Sequence, residues 1–280
     1  MICLKKVLTL KGEAVLPEEL FAKIAEKSPL IHCITNYVTI NQCANILLAC
    51  GASPIMADCA LETADITAHS DGLVLNLGML SPEKLDAMLL SAEAAAKKHI
   101  PAVLDPVGAG VSEFRRNAAR QLLETGVITA IRGNFSEISA VCGIMSGEKG
   151  VDSGDAISED ISRETVISAY NKTNAVIVMT GKTDYIYDGR TVFTEKCGVP
   201  HMKKITGTGC MLTSLICAAL TVSSENPAEG CRLAVRTFGK CGEDAFRLTD
   251  KNGLGTASAA AYLIDNISRF TERSSRFEKL

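Results

Sequence analysis

Short apolar runs alternate with longer amphipathic or alanine-rich stretches along most of this chain, and that alternation restricts the fold more than any other feature. Leu30–Thr35, Gly72–Leu77, Ala102–Asp105, Ile128–Arg132 and Ala175–Thr180 are rich in Val, Ile and Leu. Short runs of this kind read as strands buried on both faces. The stretches between them, Asn41–Cys50, Pro82–His99, Glu113–Thr125, Ser136–Cys142 and Ser162–Asn171, carry helical patterning. The alternation predicts a mostly parallel central sheet flanked by helices on both faces, an α/β chain in three layers. Two β-rich runs around Asp188-Gly189, within Thr183–Phe193, predict a hairpin. Three helical segments are predicted after Gly209, near 210–222, 227–247 and 254–271. No linker or low-complexity tract interrupts the 280 residues, so one domain spanning 1–280 is predicted.

The predicted strands end on polar or turn-forming residues: Asn36, Asn76 with Gly78, Asp105-Pro106, Arg132-Gly133-Asn134 and Thr180-Gly181. In open parallel sheets ligands bind outside the carboxyl ends of the strands. Each of these residues taken alone either ends a strand or lines a site. As a set they favour a site.

Ile205-Thr206-Gly207-Thr208-Gly209-Cys210 then opens a helical run, Met211–Ile216. Closely spaced glycines let backbone amides face an anion without interference from Cβ. The helix that follows adds its unpaired N–H groups and the positive end of its dipole. Such a turn suits a phosphoryl group in transfer, where donors fixed beforehand do most of the work. Two other phosphate motifs fail on spacing. A dinucleotide fingerprint needs glycine where Leu212 stands, and Gly181-Lys182-Thr183 lacks the leading glycine of a P-loop, since Val176 is there.

Composition narrows the partners. A net charge of −3 gives no general attraction for nucleic acid or an anionic membrane. No apolar run reaches the roughly 18 residues of a membrane helix, and Met1–Leu10 lacks the features of a signal peptide. Eleven cysteines without a Cys-x-x-Cys pair give neither zinc nor redox spacing, and read as small buried thiols of a reduced, cytoplasmic chain.

Several segments together resemble the hydroxyethylthiazole kinase family of the ribokinase-like superfamily. They are Asn36–Asn41, Gly51–Met56, Leu75–Gly78, Leu104–Gly110, Arg132–Glu137 and Thr206–Cys210, in family order from about residue 17 to 270. Relatives in the superfamily carry a Gly-Ala-Gly-Asp turn whose aspartate takes the proton of the substrate hydroxyl. Thiazole kinases typically have cysteine there, as here.

The resemblance implies a ribokinase-like fold and an ATP- and Mg2+-dependent kinase of thiamine salvage. Its acceptor would be the primary alcohol of 4-methyl-5-(2-hydroxyethyl)thiazole, and its assembly a homotrimer. It assigns Cys210 the catalytic position, Met56, Gly207 and Asn36 the substrate side, Arg132, Thr180 and Gly209 the nucleotide side, and Asp105 and Glu137 the metal. A helix N-terminus predicts a lowered thiol pKa for Cys210, which then orients the alcohol and accepts its proton; otherwise Cys210 is a small residue in a crowded turn. Glu137 is either a metal ligand or a first-turn carboxylate offsetting the helix dipole. Met56 is either a substrate contact or ordinary core. The four histidines read as structural or surface residues. Alternative readings are a kinase for another small vitamin-precursor alcohol, a non-catalytic ligand-binding protein on the same fold, and a nicotinamide-hydrate dehydratase. The last keeps an acidic residue where this chain has Cys210.

Overall fold

The computed structural model describes residues 15–144 and 157–277. Its elements run β1 (Leu30–Ile34), β2 (Ser53–Ile55), β3 (Gly72–Asn76), β4 (Ala102–Asp105), β5 (Ile128–Asn134), β6 (Val176–Thr180), β7 (Asp184–Tyr187) and β8 (Phe193–Glu195). The helices are α1 (Pro17–Lys27), α2 (Ile40–Ala49), α3 (Thr63–His69), α4 (Pro82–Lys98), α5 (Glu113–Glu124), α6 (Phe135–Val141), α7 (Glu159–Thr173), α8 (Thr208–Leu220), α9 (Pro227–Lys251) and α10 (Thr256–Phe277). All eight strands join one sheet in the order β2-β1-β3-β4-β5-β6-β7-β8. The first six are parallel, and β7 is antiparallel to both neighbours, which is the predicted hairpin.

Side chains on the central strands alternate between two apolar layers, as the two-residue period of a strand requires. Val74, Val103, Ala130 and Val178 pack with α1, α2, α8, α9 and α10. Leu73, Leu75, Leu104, Ile131 and Ile177 point the other way, onto α4, α5, α6 and α7. Both faces are covered, so the strands read as unbroken apolar runs. α8 is apolar nearly all round, and every residue from Cys210 to Leu220 is buried. A helix with no polar face belongs in an interior.

Three of these elements lie outside the sequence prediction. β2 spans three residues and includes Pro54, which a ladder accepts at the sheet edge where β2 lies. α3 is rich in Thr and rests on tertiary hydrogen bonds from Thr63 to Ser91 (2.5 Å) and from Thr67 to His32 (2.8 Å). α1 is fixed by Leu20, Phe21 and Ile24, with the Phe21 ring edge-on to Phe270 at 5.2 Å. β2 and α3 are too short for a period to be read locally, whereas α1 carries a legible one, with Pro17 at its first turn and Leu20, Phe21 and Ile24 on one face.

The strand order places a switch point between β1 and β3. From β1 the chain goes outward to β2, then returns to the other side of β1 as β3. The connections on the two sides diverge there and leave a crevice at the carboxyl edge. Asn36 and Asn76 flank it.

Candidate active site

α8 points its N-terminus at this crevice. Gly207, its N-cap, has φ +89°, a conformation that side-chain-bearing residues rarely adopt. A Cβ there would also come within 2.7 Å of the Thr39 methyl, so the loop after β1 packs directly on the turn. Gly209 faces a different neighbour: a Cβ on it would overlap the Arg132 guanidinium and displace that side chain.

Around the turn, residues from five strand ends meet. Asn36 and Asn76 each donate a side-chain N–H to the Cys210 sulfur, at 3.4 and 3.3 Å, and Asn36 also donates to Asn76 Oδ1 at 3.1 Å. Asp105, at the end of β4, accepts the Thr213 hydroxyl at 2.8 Å. Arg132, on β5, stands 3.8 Å from the same carboxylate oxygen and donates to the Thr180 hydroxyl at 2.7 Å. Glu137 accepts the Gly108 amide (3.1 Å) and the Asn134 amide (2.9 Å), while Asn134 caps α6 by accepting the Glu137 amide at 2.9 Å. This is a capping box whose carboxylate also ties down the loop after Asp105. The two sequence readings of Glu137 are therefore compatible, because a carboxylate sharing its lone pairs with two amides keeps capacity for a cation or its water.

The electrostatics correct one expectation. The helix N-terminus predicts a lowered Cys210 thiol, but burial, and then the neighbouring Asp105 carboxylate, push it up instead. The resting residue is a neutral thiol. Desolvation outweighs the dipole because the side chain is nearly enclosed, at 8% exposure. Burial also raises Asp105 to about 6, with Arg132 opposing and Glu137 adding to the rise.

Among the described residues, Asp105 Oδ1 and Arg132 Nε are buried polar atoms without a hydrogen-bond partner. Buried polar groups are normally satisfied, so an orphaned acceptor and an orphaned donor in one cluster fit a cation and an anion brought together by a ligand. No three His, Cys, Asp or Glu residues gather into a metal-binding group among the described residues. Magnesium does not require one, since it is commonly held by one or two carboxylates with phosphates and water. Asp105 and Glu137 fit that demand.

Of the nine residues singled out from sequence, eight meet here, and Met56 is the exception. It stands just past β2, half-buried against the α8 layer, with no polar contact to the cluster. Asn76 was read as a polar strand end but given no role, and Thr213 and Thr39 were not singled out; all three belong to the cluster. Asn76 carries the strand-end signal. Thr213 is three residues past Cys210, one helical turn on. Thr39 has no local signal. His32 is structural as read: it bonds Thr67 and the Ala57 carbonyl, each at 2.8 Å, and burial lowers its pKa.

This fold is shared with a ribokinase-like superfamily protein from Enterococcus faecalis, at a TM-score of 0.64 and 11% identity over 92% of this chain and 94% of the other. The architecture is thus the three-layer α/β/α fold of ribokinase-like proteins. A hydroxyethylthiazole kinase protein from Pyrococcus horikoshii superposes with a TM-score of 0.82 and 33% identity, covering 93% of this chain and 95% of that one. The Clostridium beijerinckii hydroxyethylthiazole kinase is 43% identical over 256 residues, covering 90% and 91% of the two chains. The Hydroxyethylthiazole kinase family profile matches residues 21–273, and the chain belongs to that family.

Proposed function

We propose that this enzyme transfers the γ-phosphoryl group of ATP to the primary alcohol of 4-methyl-5-(2-hydroxyethyl)thiazole, a step of thiamine salvage. The observation that carries this reading is the meeting of the glycine turn of α8 with Asn36, Asn76, Asp105 and Arg132 around Cys210. Family membership supplies the acceptor.

In this reading the acceptor lies on the β1–β3 side, against Asn36 and the Gly207 turn, with its oxygen beside Cys210 and its ring toward Met56. The nucleotide lies on the β5–β6 side, where Arg132 and Thr180 face its phosphates and the amides from Gly207 to Cys210 meet the group in flight. Phosphoryl transfer passes through a loose transition state in which the nucleophile is little bonded, so positioning and charge stabilisation dominate. A neutral thiol held by two amide N–H groups suits that task. It orients the alcohol oxygen, whose proton leaves late, onto an oxygen of the transferred phosphoryl group. Magnesium, when bound, would be held by Asp105 and Glu137 and would neutralise charge on the phosphate oxygens. The described cysteines are free thiols, in keeping with a reducing cytoplasm. No described helix is long and apolar enough to cross a membrane. The assembly we propose is a homotrimer, which light scattering during size-exclusion chromatography tests directly.

The activity is tested by ADP release from purified protein with ATP, magnesium and a panel of thiazole, pyrimidine and sugar alcohols. The expected result is turnover with the thiazole alcohol and none with sugars. Turnover with another alcohol alone would replace the acceptor and leave the fold assignment standing.

A further inference from the structure

The loop joining β1 to α2 is gripped from two sides. Its inner side meets the reaction centre, through Asn36 on Cys210 and Thr39 on Gly207. On its outer side lies Lys84, from the first turn of α4. The ammonium donates to the Thr35 carbonyl at 2.6 Å, lies 3.5 Å from Asp58 Oδ2 and sits 4.4 Å from the centre of the Tyr37 ring. Tyr37 donates its hydroxyl to the same Asp58 oxygen at 2.6 Å. The clasp joins three segments of the carboxyl edge: the loop after β1, the segment after β2 that also carries Met56, and the start of α4.

Stability is a poor reason for this arrangement. The Lys84 side chain is only 5% exposed, while Asp58 is 34% exposed. A buried ion pair seldom stabilises more than apolar side chains filling the same space. A cation in the first turn of a helix also opposes the helix dipole. Burial pulls the Lys84 pKa below its ordinary value, with Asp58 opposing. What the lysine does accomplish is geometric, because the carbonyl it holds belongs to the residue immediately before Asn36.

We propose that Lys84 is a positioning residue for the acceptor alcohol: with Asp58 and Tyr37 it fixes the loop that presents Asn36 to Cys210. The proposal rests on the kinase reading above and adds a residue remote from the nucleotide. Its signature is a loss confined to the acceptor, since Arg132 and Thr180 are held by other elements.

The test compares Lys84→Met, Lys84→Arg and Tyr37→Phe with the wild-type enzyme, recording kcat, KM for each substrate and Tm. Lys84→Met is expected to keep Tm within a few degrees and KM for ATP within about twofold, while kcat/KM for the acceptor falls ~10- to 100-fold. Lys84→Arg, which keeps the charge and a donor, is expected to recover part of that loss. Tyr37→Phe removes only the bond to Asp58 and is expected to raise the acceptor KM about threefold; it carries the test if Lys84→Met does not fold. Unchanged acceptor kinetics, or equal losses for both substrates that follow a fall in Tm, would overturn the proposal. Wild-type protein inactive on the thiazole alcohol would refute the acceptor instead, and the variants would then be assayed with whichever alcohol the panel identifies.

Discussion

Arg132 and Gly209 are in direct contact across the candidate active site, so closely that a methyl group on Gly209 would overlap the guanidinium. One residue lies near the end of β5 and the other in the first turn of α8, 77 positions later in the numbering. The contact holds the proposed phosphate-binding arginine beside the amides of the turn.

Gly209→Ala tests that contact. In a helix the change is ordinarily favourable by up to about 1 kcal/mol, so a loss of function without a loss of Tm isolates the collision. Displacement of Arg132 is expected to lower kcat/KM for ATP about tenfold or more, measured by initial rates at saturating acceptor.

Asp105→Asn separates stability from activity. Burial raises the folded carboxyl to about 6 from an ordinary 3.8. The protein is therefore relatively stabilised below about pH 4, where Asp105 is neutral in both folded and unfolded chains, and loses that advantage as pH rises through 6. The ionised group then costs on the order of 3 kcal/mol. The variant is expected to match wild-type Tm near pH 4 and exceed it by several degrees at pH 7.5, while kcat falls ~100-fold or more because the proposed magnesium ligand is gone. A Tm difference that does not change with pH would remove Asp105 as a buried titrating group.

Cys210 is expected to behave as a thiol. At pH 8, iodoacetamide should label exposed Cys59 while the Cys210 peptide stays largely unmodified, as read by mass spectrometry. Cys210→Ser retains a group able to meet Asn36 and Asn76 and should keep most of the turnover. Cys210→Ala should lower kcat about tenfold. Equal turnover in wild type and Cys210→Ala would leave the turn amides as the sole catalytic element at this position.

Local pattern was enough to read the strands that form the middle of the sheet, because burial on both faces writes Val, Ile and Leu into consecutive positions. It also gave the glycine turn, whose spacing before an apolar helix carries its own physical reason, and the polar strand ends, which parallel topology gathers on one edge. Asn36, Asn76, Asp105, Arg132 and Thr180 were therefore legible as a set, whereas Glu137 entered through the family resemblance. Folding decided what depends on distance between segments. β2 and α3 exist because neighbours supply their ladder and hydrogen bonds. The Cys210 thiol is raised because enclosure outweighs the dipole of its own helix. Thr39, Thr213 and Lys84 gain their places only when α2, α4 and α8 close around the end of β1. Periodicity records which face of an element is buried, but nothing in it records which atoms of another element will lie against that face.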